Sequence, residues 1–429
     1  SVPPAVTSYR IVRYVLQQAW PGAPMSGVHS FLAPSSADVW VYCAGAPLLS
    51  SMYPEQETLD TQEGEASHWG VSSVLESYLP DAVDALAMPA SFISVEAPNG
   101  IIISGEMMDC ATVMIEDVLH VCQEFGLLSN LHIEERMTIA SIHELNGGTP
   151  DVWAYDDQTR TIHLWDYKYG HKDVPADSWQ NKNYLAGIID RLDIDGHYDQ
   201  QTNVVMKIVQ PRSYHSDGPI KEHRCMASDL RADFNLLRSQ AAKAVTSEPG
   251  VISGAHCRYC PARHTCPAAM SAAASAVDCA MSAVPADLTD DGLSFELALL
   301  DRGSKAIEHR YAAIKEEAIR RIEKGASILG YGTEPGLGNR KFNSATDEIK
   351  LIGDGLGIEM VVPEKLITPA QFDKALVAVN KERKAAGEEA IDKTVMNAYI
   401  DRPTTGIKLV PANETLAVKS FRRLSNDND

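Results

Sequence analysis

The sequence predicts an α/β fold followed by a mostly helical C-terminal region. Three observations predict it. Residues 147–168 read as two short strands joined by a polar turn: Val152, Trp153 and Tyr155 populate the first, Ile162, Leu164 and Trp165 the second, and Asp156-Asp157-Gln158-Thr159 lies between. Helical segments and short apolar strands alternate on both sides of this hairpin. Residues 294–324 read as one long helix with an apolar stripe at steps of three and four: Ile307, Tyr311, Ile314, Ala318 and Ile322.

In chain order, residues 1–34 read as a Pro-containing N-terminal extension. Ser35-Ser36-Ala37-Asp38 resembles a helix cap, followed by segment 39–51, which carries Cys43. Helices are expected at 63–79, with Gly64 and His68 on the first turns, and at 81–88. Asn99-Gly100 signals a turn between strands 91–96 and 100–104. A helix is expected at 112–125 and a strand at 134–142, where Glu134 and Glu135 read as structural. The hairpin follows, then a helix at 178–192, a strand at 203–209 and a helix at 229–244. An Ala/Ser/Met-rich stretch, 267–283, reads as the domain boundary. The expected domains are 1–34, 35–283 and 284–429. The stripe on the long helix is expected to pack against the body of the protein rather than form a dimer seam, though a homo-oligomer stays open. Helices near 369–386 and 392–400, a strand near 406–410 and a frayed end at 426–429 complete the tail.

The totals restrict the function class. The chain has 429 residues, 45% hydrophobic and 22% charged, an ordinary globular composition. No apolar run approaches the ~18 residues of a membrane span, and no export signal is seen, so the expectation is a cytoplasmic protein without membrane partners. A net charge of −20 argues against coating nucleic acid by bulk electrostatics, but not against a local basic groove. The eight cysteines do not resemble a secreted disulfide framework. Glycines at 330–338 are not followed by a phosphate-cradling Lys-Ser/Thr, so no built-in motor is expected.

Chemistry concentrates around the hairpin. Asp151 opens it and Asp166 closes it, so strand pairing can bring both carboxylates to one end. Lys168, two residues beyond Asp166, projects on the same face. Two carboxylates and an ammonium there can hold a divalent metal and the water beside it. Gln180 and Tyr184, four apart, share one helix face and could reach a substrate phosphate or base. A neutral His68 could complete the metal shell. Cys257, Cys260 and Cys266 form a tight trio that leaves one ligand missing for a tetrahedral site or a cubane cluster, and Cys43 is the natural fourth. Cys110, Cys122, Cys225 and Cys279 read as small buried residues or harmless thiols.

The set Gly64-x-x-x-His68, Pro150-Asp151, Asp166-Tyr167-Lys168 and Gln180-x-x-x-Tyr184 resembles the RecB-type branch of the PD-(D/E)XK nucleases, in that family's order. The resemblance implies a mixed central sheet flanked by helices. It implies Mg²⁺ or Mn²⁺ held by His68, Asp151, Asp166 and the Tyr167 carbonyl, with Lys168 orienting the attacking water and Gln180 and Tyr184 shaping the DNA side. One remote cysteine plus C-x2-C-x5-C resembles the iron–sulfur nucleases, the AddB nuclease subunit and the CRISPR-associated RecB-like exonucleases. That resemblance implies a structural 4Fe-4S cluster stapling the ends of the nuclease domain, although four thiolates suit Zn²⁺ equally well. It covers about residues 35–270. The whole layout is similar to phage-encoded RecB-like proteins, which implies a bacterial host cell. The expectation is a metal-dependent DNA exonuclease. The acidic total suggests that a partner, such as a single-strand-binding or other recombination or replication protein, delivers DNA. The rivals are a non-cleaving nucleic-acid-binding subunit and a zinc-stapled assembly protein.

Overall fold

The computed structural model describes residues 30–53, 58–80, 82, 86–192, 201–213, 215, 218–282, 288–337, 341–342, 346–362, 365–385, 389–392, 394–401 and 404–411. The expected N-terminal extension lies largely outside these residues, as do half of 81–88 and all of 426–429. The chain divides into two compact units, Ser1–Ala313 and Ile314–Asp429.

The first unit begins with two short helices, α1 (Ala37–Trp40) and α2 (Ala46–Ser50), where one segment was expected. Gly45 precedes the second helix and packs tightly on the 249–251 segment, where an added Cβ would meet Val251 Cγ1 at 2.6 Å. Helix α3 (Leu59–Glu76) starts earlier than expected because the Thr58 hydroxyl caps the Thr61 N–H. Helix α4 (Gly105–Phe125) is likewise capped by Ser104 and ends at Gly126, whose φ of 70° only glycine adopts readily. Strands at 91–96 and 100–104 do not form. Only the bridge Glu96–Ile102 remains, because a 3₁₀ turn, Pro89–Phe92, and the left-handed Ser94 interrupt the extended chain.

Strands β1 (Leu131–Ile133), β2 (Met137–Thr138) and β3 (Gly147–Gly148) replace the single strand expected at 134–142. Glu134 adopts φ 48°, which breaks that run. The hairpin forms as expected from β4 (Val152–Asp156) and β5 (Thr161–Tyr167). Helix α5 (Trp179–Leu192) crosses to β6 (Asn203–Val209), and β7 (Ile220–Met226) follows. The sheet is mixed, in the order β1-β4-β5-β6-β7, with only β5 and β6 parallel. Strand β7 escaped the sequence pattern because it is an edge strand reading Ile-Lys-Glu-His-Arg-Cys-Met. Helix α6 (Arg231–Ala244) comes next.

Each face of the sheet is covered by helices. Trp153, Ile162, Leu164, Val204 and Met206 pack with Trp40 of α1, Leu185 and Ile188 of α5 and Phe234 and Leu237 of α6. Val152, Ala154, Trp165 and Tyr167 pack on the other face with Val74 and Leu75 of α3 and Met114 and Val118 of α4. The period of two thus sorts each strand between two cores.

Within the stretch 267–283, expected to separate domains, Pro267–Met281 form helix α7 in the first unit. Their alanine content reads as low complexity, but alanine is the strongest helix former. The division falls instead inside the long helix α8 (Asp290–Glu323). Its stripe is not buried: Ile307 is 38% and Tyr311 67% exposed, contrary to the expected packing.

The second unit is mixed rather than mostly helical. It holds β8 (Tyr331–Leu337), β9 (Lys341–Phe342), α9 (Thr346–Leu356), β10 (Val361–Val362), β11 (Lys365–Leu366), α10 (Pro369–Ala385), β12 (Ile400–Asp401) and β13 (Thr404–Pro411). Strand β13 pairs antiparallel with β8, and β12 with β9, linking distant segments that local pattern cannot connect. Ile349, Met360, Phe372 and Met396 lie in its core. Among the described residues, no helix is long and apolar enough to cross a membrane.

Candidate metal centre and cysteine site

The end of the hairpin gathers most of the expected side chains. Val152 pairs with Trp165, which sets Asp151 and Asp166 side by side where the two strands leave the register. The Tyr167 N–H donates to Asp151 Oδ2 at 2.6 Å. Lys168 Nζ lies 2.9 Å from Asp166 Oδ2 and 3.1 Å from Oδ1. Gln180, on the first turn of α5, donates to Asp166 Oδ1 at 2.9 Å and accepts from Lys168 at 3.2 Å.

His68 arrives from the opposite face. Ser67 and the Tyr167 hydroxyl hydrogen-bond at 2.9 Å across the core, which fixes α3 against the hairpin. His68 then packs edge-on to the Tyr167 ring, with Nδ1 3.5 Å from Asp151 Oδ1. Its Nδ1 is also 4.0 Å from Glu134 Oε1. Ligand atoms of His68, Glu134 and Asp151 all lie within 4.8 Å of one another, close enough for one ion.

Glu134 is the residue that sequence reasoning assigned to structure and the fold brings to the site. Its N–H donates to the Asp151 carbonyl at 2.9 Å, and its left-handed backbone turns the carboxylate toward His68. An acidic residue just after the apolar Leu131–Ile133 strand was the only signal. Asp166, expected to share the ion with Asp151, stands outside that compact group because Lys168 and Gln180 hold its carboxylate. Tyr184 is 5% exposed and packs against the backbone at Gly148, where an added Cβ would meet its hydroxyl at 3.1 Å. It therefore buttresses the site from within the core rather than facing a substrate.

The electrostatics separate the two hairpin aspartates. Burial works to raise the Asp151 carboxyl, but His68, Lys168 and the Tyr167 N–H outweigh it and hold it below the ordinary range. Burial pushes Asp166 up to about 6 despite the Lys168 ammonium. Burial, with repulsion from Asp151, pushes Glu134 up to about 7. Burial disfavours charge on Lys168, yet Asp166 and Asp151 prevail and keep it a firmly protonated cation. Asp166 Oδ2 is buried and makes no well-directed hydrogen bond. The imidazole and two carboxylates of His68, Glu134 and Asp151, this close together, suit a hard divalent cation.

Residues 29–415 match the model of a family described as Protein of unknown function (DUF2800). The chain belongs to the DUF2800 family. The matched stretch includes the hairpin, His68 and all four cysteines expected at the second site.

In this DUF2800 member, Cys43, Cys257, Cys260 and Cys266 are all buried and line one cavity with Val39, Ala46 and Leu49. The Ile252 and Gly254 N–H groups donate to the sulfurs of Cys43 and Cys257 at 3.4 and 3.3 Å. Burial raises these two thiols, but hydrogen bonds from His256 and the backbone outweigh it and pull both down, the direction that favours thiolate ligands. Among the described residues, the groups of three or more donors within 4.8 Å of each other come down to the His68 cluster, so no three of these sulfurs lie that close. A single tetrahedral zinc, with Zn–S of about 2.3 Å, would hold its sulfurs about 3.8 Å apart. Of the other thiols, Cys110 and Cys122 are buried, Cys225 is half-buried and Cys279 is exposed.

Proposed function

We propose that this chain hydrolyses phosphodiester bonds in DNA with the help of Mg²⁺ or Mn²⁺, on a PD-(D/E)XK-type core. The observation that carries the reading is the convergence of Asp151, Asp166, Lys168 and Gln180 at one end of the hairpin, with His68 and Glu134 against Asp151. His68, Glu134 and Asp151 would hold the ion, and Asp166, whose Oδ2 is paired with the Lys168 ammonium at 2.9 Å, would hold that cation beside it. A bound divalent cation there would polarise the scissile phosphate and lower the pKa of water beside it. Lys168 orients the attacking water and offsets charge building on the phosphate. Gln180 keeps Lys168 and Asp166 in one geometry. Tyr184 fills the space beneath them.

The cysteine site is read, from the resemblance of its spacing to the iron–sulfur nucleases, as holding a structural 4Fe-4S cluster, with Zn²⁺ as the alternative. Four buried thiols share a cavity and two accept backbone N–H groups, which supports a metal site there. Cys43 lies in the loop between α1 and α2, while the trio precedes α7, so a shared ligand ties chain ends that are distant in sequence.

The test is an anaerobic purification followed by an absorption spectrum, iron and zinc analysis, and Mg²⁺-dependent assays on end-labelled and circular DNA. Iron, a broad visible absorption and loss of ends only are expected, with Asp166→Asn inactive. Stoichiometric zinc with every DNA left intact would sink both assignments and favour a scaffold subunit.

A further inference from the structure

A cavity of about 730 Å³ lies in the first unit between α7 and the first part of α8. Cys257 lines it, so it adjoins the cysteine site. Its lining includes Arg263, Arg302, Lys305, His309 and Arg310 but no Asp or Glu. That is notable in a chain with 58 acidic and 38 basic residues. Lys305 pairs with Asp301 at 2.7 Å, and Arg310 donates to the His264 carbonyl, yet the lining remains cationic. The walls are apolar and small, contributed by alanines of α7 and by Leu299, Leu300 and Ile307 of α8. Gly303 lets the helices approach at one point, where an added Cβ would meet Ala276 at 3.3 Å.

Exposed rings and cations also cluster around the cysteine segment that lines this cavity. Tyr259, 44% exposed, carries the Lys172 ammonium 3.5 Å from its ring centre and the Arg258 guanidinium at 5.8 Å. Lys172 is four residues beyond Lys168. Tyr42, 51% exposed, stacks on His256 at 5.8 Å and accepts a 2.9 Å hydrogen bond from Trp179, the neighbour of Gln180. Flat rings interleaved with cations fit the bases and phosphates of a single strand. Local positive charge in an acidic protein favours such a polyanion at these groups.

We propose that the α7–α8 cavity is a second binding site for single-stranded DNA, holding the strand away from the hairpin, with Arg302 and Lys305 contacting its phosphates. The proposal rests on the reading of the hairpin as DNA-directed.

The experiment uses the full chain in EDTA, so that binding is read without cleavage. Anisotropy of a labelled strand of about 30 nucleotides, longer than the ~4–16 covered by one compact fold, is followed across salt. The double variant Arg302→Glu/Lys305→Glu changes two exposed side chains, and its melting temperature controls for folding. The expected result is a loss of affinity on the order of 10–100-fold at low salt. The slope of log K against log salt should fall by about 1.4, roughly 0.7 for each phosphate contact. Wild-type affinity and slope in this variant would overturn the cavity site; if wild type then cleaves DNA with Mg²⁺, the nuclease reading stands without it. Binding that depends on Arg302 and Lys305 in a chain that never cleaves would keep the cavity and sink the nuclease reading. A free mononucleotide that binds as tightly as the strand would replace the strand assignment with a nucleotide pocket.

Discussion

Replacing Lys168 by Met separates the chemistry of the site from its stability. The ammonium sits 2.9 and 3.1 Å from the oxygens of Asp166, which is only 2% exposed. Without it, Asp166 keeps the Gln180 amide and loses its cation. Breaking a buried pair by removing one partner costs about 3–5 kcal/mol. The low end applies, because the Lys168 side chain is 25% exposed and solvent screens part of the interaction. At about 3 kcal/mol and ~2.1 cal/mol/K of unfolding entropy per residue, the melting temperature of a unit of this size should drop by roughly 4–6 °C. Adding Asp166→Asn should recover much of that loss, since neither partner then leaves a buried charge. Cleavage should fall on the order of 10²–10³-fold in kcat in both variants, and DNA affinity in EDTA should change little. Thermal melts and end-labelled cleavage at saturating Mg²⁺ read the two effects. Undiminished kcat in folded Lys168→Met would refute the assigned role of Lys168, and an unchanged melting temperature would refute the buried-pair account.

Three further outcomes are expected. Glu134→Gln should weaken Mn²⁺ binding, measured calorimetrically, by about 10–100-fold while the fold persists, because it removes one charge from the compact donor group. Cys43→Ser should discharge the visible absorption and destabilise the chain by about 5 kcal/mol in a denaturant titration, since the link from Cys43 to Cys257 closes a very long loop. Burial, reinforced by Lys207, pushes His163 down to about 4. Its folded pKa lies below the unfolded value of about 6.5, so its contribution is complete above that pH and is lost as pH falls toward 4. His163→Phe should flatten the fall in melting temperature between those pH values, and an equal fall in the variant would locate the titration elsewhere.

The sequence by itself determined the elements whose pattern is local. The hairpin, α5 and β6 follow from the alternation of apolar residues and the polar Asp156–Thr159 turn. The two-residue step from Asp166 to Lys168 set both on one face, and the cysteine spacing announced a site. Helix starts at Leu59 and Gly105 were missed because capping by Thr58 and Ser104 overrode weak apolar periodicity. Strand β7 was missed because an edge strand tolerates charge.

Tertiary structure alone decided what long-range packing controls. A left-handed Glu134 aims its carboxylate at His68, a backbone state that no local pattern assigns to glutamate. Tyr184 shares a helix face with Gln180, yet the close approach of Gly148 buries it. The alanine-rich stretch that read as a domain boundary became α7, alanine being the strongest helix former. Arg263 precedes α7 while Arg302 and Arg310 lie on α8, and only the tertiary fold gathers them around one cavity.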